Sequence, residues 1–283
     1  MSQEKSLEDA IPPEAMESAT SPTSAPADLM RTAADPDLGE DRALALLKHA
    51  DLPSEVLEQF AKNANALKSR KVKIALVSHP RAPRHVSVPL ARQFYTFDLM
   101  KVSLSPSVPA DVKVAVDDVL IARLKTVTIG ERLTLARRAS GRVAAALLLD
   151  AEKMDGKITD DKEAGGRMVD AKTVARETRV MRTALENPRL TEALVIGSVL
   201  RPAASAALVH AVAGHEKWSC RREIRAALLR TEHLSLARAL EFSGEIPHPL
   251  LQEILASSRL AGEIKDQLLR EITGAPITAP NPQ

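Results

Sequence analysis

The feature that most narrows what this chain can fold into is that it repeats itself. A five-residue pattern (Val, Ile or Met, two residues, Ala, then Leu or Val) starts at Val72, Val112, Val143, Met181 and Ile224, and again at Ile264 with Gln267 in place of Ala. The starts are 40, 31, 38, 43 and 40 residues apart. Such spacings suit two-helix units better than propeller blades, because the intervening residues carry helix signals rather than strand alternation. A longer register supports this, since residues 52–124 lie on 204–276 at a constant offset of 152 without a gap. Val72 then meets Ile224, Leu76 meets Leu228, Leu99 meets Leu251, Val102 meets Ile254, Val108 meets Leu260 and Val116 meets Leu268. Chance rarely holds one register through several helices and their loops, so the chain carries an internal duplication of a helical block.

Composition and local signals agree. Only six aromatics are present, Phe60, Phe94, Tyr95, Phe97, Trp218 and Phe242, so Leu, Val, Ile and Ala must fill the core. After Pro109, which suits a helix start, Val112, Ala115, Val116, Val119 and Leu120 form one stripe, with Asp111, Asp117 and Asp118 expected on the solvated side. Thr128 and Glu131 have capping-box spacing, and Ser140-Gly141 marks a break before Arg142–Leu149. Pro80 and Pro83 bracket one turn and Pro188 sits in another. Each element is short, and a helix of about ten residues is marginal alone, so each must lean on its neighbours.

Leu104 to Lys113, followed by Ala115, Val116 and Leu120, resembles the second half of a HEAT repeat. Val72-Lys73, Ala75-Leu76, His79-Pro80 and Pro83 are similar to the leucine-rich variant repeat, and Asn187-Pro188-Arg189-Leu190 echoes its turn. The resemblance covers residues 43–273 and implies an all-α chain, an α-solenoid of about six two-helix HEAT-like repeats of the armadillo type. Some variant-repeat proteins carry a cysteine-ligated iron–sulfur cluster; Cys220 stands alone here, so that feature is not expected.

The organisation expected from sequence is an acidic, Pro/Ser/Thr/Ala-rich disordered tail over 1–41, a first helical block over 42–150, a charged insertion over 151–166, a second block over 167–273 and a disordered end over 274–283. Residues 1–42 carry a net charge of −7, which leaves +9 for the remainder, so the tail suits a role covering a basic face. No apolar leader follows Met1, and the lone cysteine points to a reducing compartment, which together give a cytoplasmic expectation. Ala193–Gly214 is apolar and about long enough to span a membrane. Arg201 and Pro202 near its middle would add roughly 2.5–3.5 kcal/mol for the charge alone, so two short buried helices are expected instead.

Catalytic and metal patterns are weak. Asp155-Gly156-Lys157-Ile158-Thr159 imitates the centre of a calcium loop, but Ala151, Lys153 and Lys162 fall where calcium needs oxygen ligands. His210 and His215 are five apart, wrong for one helix face, and no phosphate loop or nucleophile elbow is present. No catalytic, cofactor or metal site is assigned.

Basic clusters remain. From Lys62 to Phe97 there are eight bases and no acid, among them Arg70, Lys71, Lys73, Arg84 and Arg92. Arg70 and Lys73 correspond to Arg222 and Arg225 in the duplicate, and Arg137 and Arg138 add a third cluster. Stacked units can align Arg70, Lys71, Lys73, Arg137, Arg138, Arg222 and Arg225 into a face for an anionic partner, although charge runs on helices ordinarily mean a solvated surface. The expected function is a noncatalytic scaffold binding a protein or peptide. The alternative is a nucleic-acid-binding solenoid, similar in build to the HEAT-like alkylpurine DNA glycosylases but without residues to assign as their site.

Overall fold

The computed structural model describes residues 26–150, 171–202 and 204–273, and among these every regular element is a helix. In chain order they are α1 (Pro26–Ala34), α2 (Glu40–Leu47), α3 (Ser54–Lys62), a 3-10 turn (Ala66–Lys68), α4 (Arg70–Val77), α5 (Arg84–Ala91), α6 (Thr96–Leu104), α7 (Ala110–Arg123), α8 (Ile129–Arg138) and α9 (Gly141–Asp150). There follow α10 (Ala171–Leu185), α11 (Glu192–Val199), α12 (Ala206–Ala213), α13 (Glu216–Ser219), α14 (Arg222–Leu228), α15 (Leu236–Ser243), α16 (His248–Ala256) and α17 (Gly262–Thr273). No described helix is long and apolar enough to cross a membrane. The apolar stretch 193–214 is divided between α11 and α12, with Arg201 and Pro202 exposed in the connection. The calcium-like sequence lies outside the described residues, as do the end segment 274–283 and the expected insertion 151–166.

Helix boundaries reproduce the duplication. Glu40 and Glu192, Ser54 and Ala206, Arg70 and Arg222, Arg84 and Leu236, Thr96 and His248, and Ala110 and Gly262 are all first residues of helices, and each pair is 152 apart. Burial follows the same register: Val56 and Leu208, Leu57 and Val209, Val72 and Ile224, Leu76 and Leu228, Leu90 and Phe242, and Leu99 and Leu251 are all in the core. One continuous apolar cluster runs from Ala33 to Leu268.

Packing is local along the chain. α1 lies on α3, α2 on α4, α5 and α6 on α7, α8 on α10, α9 on α11, α11 on α14, and α15 on α17. What fixes these pairs in register is a recurrent hydrogen bond. A short helix leaves its last carbonyls without intrahelical donors, and here a side chain roughly thirty positions later in the chain supplies them. Asn63 Nδ2 donates to Ala33 O and Asp35 O, and His79 Nε2 to His49 O. Ser107 Oγ donates to Ser78 O, and Ser258 Oγ to Leu229 O. Because His79 Nδ1 accepts from the Arg81 N–H, its hydrogen must sit on Nε2, which fixes the tautomer. Trp218 Nε1 donates to Leu185 O, the duplicate of the Ala33 carbonyl that Asn63 serves. Asn187 repeats the role of Asn63 for Ala136 O and Ala139 O. Gly141, at the expected break, is required by contact: a Cβ there would lie 2.2 Å from Arg189 O.

Two expectations change. Residues 26–41, placed in a disordered tail, are ordered: α1 packs on α3 with Ala33 fully buried, and Leu38 is in the core. The stripe that achieves this is brief, and the surrounding acids and prolines mask it. The expected tail before residue 26 lies outside the described residues. Asp117, expected on a solvated face, is buried at 4% exposure, accepting from Ser103 Oγ at 2.6 Å and Ser140 Oγ at 2.8 Å. Asp118 does face solvent and pairs with Arg142. The stripe of Val112, Ala115, Val116 and Leu120, with Val119 partly buried at its edge, and the Thr128–Glu131 capping box are as the sequence indicates.

Asn63 satisfies four backbone groups, since its Oδ1 also accepts from Asn65 N and Ala66 N. Asn63→Ala is expected to destabilise the protein by about 2–4 kcal/mol in denaturant unfolding, whereas Asn65→Ala, which loses one exposed bond to Pro36 O, should cost under about 1 kcal/mol. Equal effects would show that the buried bonds do not set the register. Ser87 is fully buried and its Oγ has no hydrogen-bond partner among the described residues, while the duplicate position is Ala239. Ser87→Ala should therefore leave stability unchanged or raise it by up to about 1 kcal/mol; a loss of that size would contradict the assignment.

Candidate functional site

The seven basic residues singled out by sequence fall in three groups, on α4, at the end of α8 and on α14. Among the described residues the groups share no hydrogen-bonding or ionic partner. Arg70 forms a two-pronged pair with Asp98, Nε to Oδ2 at 2.8 Å and Nη2 to Oδ1 at 2.7 Å, and its guanidinium lies 4.9 Å from the centre of the Tyr95 ring. Lys71 Nζ is 2.8 Å from Glu40, and Lys73 Nζ donates to Gln93 Oε1 at 2.9 Å. Arg225, at 9% exposure, donates through Nε to Ser219 O, pairs with Glu245 and packs 5.2 Å from the Phe242 ring. It therefore presents no cation to a partner. Arg137, Arg138 and Arg222 are exposed and have no carboxylate partner among the described residues.

The duplication explains these differences. Lys73 and Gln93 occupy the positions of Arg225 and Glu245, so one contact across the turn is kept in both blocks with different chemistry. Arg70 and Arg222 also correspond, but the partner Asp98 is replaced by Leu250, which leaves Arg222 unpaired.

The surface that stands out is on α5. Arg84, His85, Val88, Pro89 and Arg92 line an open hollow of about 510 Å³. Their spacing puts them on one face of the helix, with cations at the ends and apolar side chains between. Pro83 holds the N-cap position of α5 without a side-chain cap, and the Arg84–Ala91 segment buries Val86, Ser87, Leu90 and Ala91 on its opposite face. Arg84 and Arg92 have no carboxylate partner among the described residues. Arg123 adds a third cation near the Arg92 end, where its guanidinium donates to the Arg92 and Phe94 carbonyls. Glu58 stands beside the hollow, with His85 Nε2 at 3.3 Å from its Oε1. Directly after α5 come Tyr95, 69% exposed, and Phe97, 39% exposed, two of the six aromatics left on the surface of a chain poor in them. Arg84 and Arg92 were visible in the sequence as members of a basic run, but their grouping with Val88 at i, i+4, i+8 was the signal that distinguishes them.

Elsewhere, Cys220 is exposed, with Sγ 3.4 Å from Lys217 O, and His215 caps α13 by accepting from Lys217 N. Desolvation lowers the pKa of His215 below 6.5. Among the described residues no group of three His, Cys, Asp or Glu could hold a metal ion.

The Lys71–Glu40 pair offers a direct electrostatic check. Hydrogen bonds from Lys71 and then Ser69 hold the Glu40 carboxyl below its ordinary 4.5, and Glu40 in turn raises Lys71 above 10.5. The Glu40 contribution to stability is thus present above pH 4.5 and is lost as pH falls through its folded value. In a carboxyl NMR titration the Glu40 midpoint should lie below 4.5 and, in Lys71→Ala, rise only part way back, because Ser69 Oγ still donates. A midpoint unmoved by the substitution would contradict the pairing. Compared with known protein families, curated proteins and solved structures, the chain matches none.

Proposed function

We propose that the chain is an α-solenoid of HEAT-like two-helix units, a noncatalytic scaffold working in the cytoplasm, and that it binds a protein or peptide through the surface of α5 and the turn into α6. What carries this reading is the α5 surface itself, where exposed arginines flank apolar side chains and the turn that follows exposes Tyr95 and Phe97. Arg84, His85, Val88, Pro89 and Arg92 become Leu236, Ala237, Leu240, Glu241 and Gly244 in the duplicate. The most extensive helix contacts join elements near in sequence, and with donors arriving from about thirty residues on they support a stacked array in which each unit rests on its neighbours. Tyr95 and Phe97 beside arginines have the composition of an interface core.

Affinity purification of the full chain, with and without nuclease, tests this. A stoichiometric protein should survive nuclease and disappear with Tyr95→Ser/Phe97→Ser. Retention of that protein by the variant would remove the turn from the surface.

The unpaired Arg137, Arg138 and Arg222 favour the second reading, a nucleic-acid-binding solenoid. That reading requires duplex binding that weakens steeply with salt and is abolished when these three become Glu. The first is preferred because Arg70, Lys71 and Arg225 are already engaged by Asp98, Glu40 and Glu245.

A further inference from the structure

We infer that the α5 hollow receives an extended acidic peptide in which two carboxylates lie four positions apart with an apolar side chain midway between them; this rests on the scaffold reading above and names its ligand. The hollow has the matching order of chemistry. Arg84 and Arg92 stand at its ends, Val88 and Pro89 between them. Eight residues of helix separate the arginines by about 12 Å along the axis. In an extended peptide, residues four apart are separated by about 13 Å and project from the same side as the residue midway between them. One acidic residue then reaches Arg84, the apolar one lies over Val88 and Pro89, and the second acidic residue reaches Arg92, whose end of the helix is further biased toward anions by Arg123. Pro89 has no N–H to give to the His85 carbonyl four residues back, so that oxygen can accept a hydrogen bond from the peptide backbone.

The surroundings select a short anion over a long one. Glu58 borders the hollow at His85, and the exposed Asp51 lies beside Arg81 at 3.8 Å. A nucleic acid backbone tracking past α5 would meet these carboxylates, whereas a peptide placing two carboxylates on Arg84 and Arg92 does not need to. The duplicate of this stripe has Glu241 at the position of Pro89 and no cation at either end, so the first block alone is equipped for the ligand.

The test is fluorescence anisotropy of a labelled peptide containing Glu-Ser-Leu-Ser-Glu, titrated with the full chain at low and moderate salt. Saturable binding is expected, weakened at least about tenfold by Arg84→Glu/Arg92→Glu and left within about twofold by Arg137→Glu/Arg138→Glu. A peptide with the same composition in the order Glu-Glu-Ser-Ser-Leu should bind several-fold more weakly. Circular dichroism establishes that the variants, altered only at exposed positions, are folded. Absence of saturable binding, equal binding by the Arg84→Glu/Arg92→Glu chain, or no discrimination between the two peptides overturns the inference. So does tighter binding of duplex DNA lost with the same pair of substitutions, which reassigns the stripe to nucleic acid. A protein captured through Tyr95 and Phe97 while the peptide fails leaves the scaffold reading standing and removes only this ligand.

Discussion

The carbonyl oxygens at the ends of short helices govern this structure. A helix of eight or nine residues carries almost as many unpaired end groups as paired interior ones, and a buried end group without a partner costs more than a single hydrogen bond returns. The chain answers with side chains sent from the following helical pair: Asn63, His79, Ser107, Asn187, Trp218 and Ser258 each close a carbonyl belonging to an earlier element. Such a bond acts only in one register. Sliding one pair past the next would strip these donors as well as misalign the apolar stripes, so polar end groups add to an otherwise nondirectional core the specificity it lacks.

That division explains what was legible beforehand. Apolar periodicity is local, and the stripe of α7, the capping box of α8 and the duplication could all be read from spacing. Asp117 could not. Its surroundings are made by Ser103 and Ser140, which reach it from opposite directions in the chain, and nothing in the local pattern of α7 distinguishes it from the exposed Asp118 beside it. The same holds for α1, where two apolar residues on a face are too few to outweigh a strongly acidic context until the complementary face of α3 is present.

The basic run between Lys62 and Phe97 was legible as composition and misleading as a surface. It lacks acids only along the sequence. Glu40, Asp51 and Glu58 approach from preceding elements and Asp98 from the next helix, so the stretch that looks most cationic on paper includes several neutralised residues. Exposed pairs of this kind contribute little to stability, but they decide which cations are left over. The leftover set is smaller than the run, and Arg84 and Arg92 are the members of it that flank an apolar surface.

Comparing the two blocks sharpens this further, because duplication supplies an internal control that a single copy lacks. Lys73 with Gln93 and Arg225 with Glu245 show that a bridging contact survives while its charge changes, which is the behaviour of a structural position. Arg70 keeps Asp98, whereas Leu250 stands at the corresponding position in the second block and Arg222 has no carboxylate partner among the described residues, which is what a position looks like when one partner has changed and no structural requirement remains. The α5 stripe behaves in neither way. All five of its residues differ from their counterparts, and so do those beneath, where Ser87, Leu90 and Ala91 give way to Ala239, Phe242 and Ser243 but remain buried in the same register, and Val86 gives way to Arg238. What the two helices share is the register of burial, which packing alone demands; what they do not share is the pair of cations at the ends of the exposed stripe, Arg84 and Arg92 against Leu236 and Gly244, which packing neither requires nor forbids.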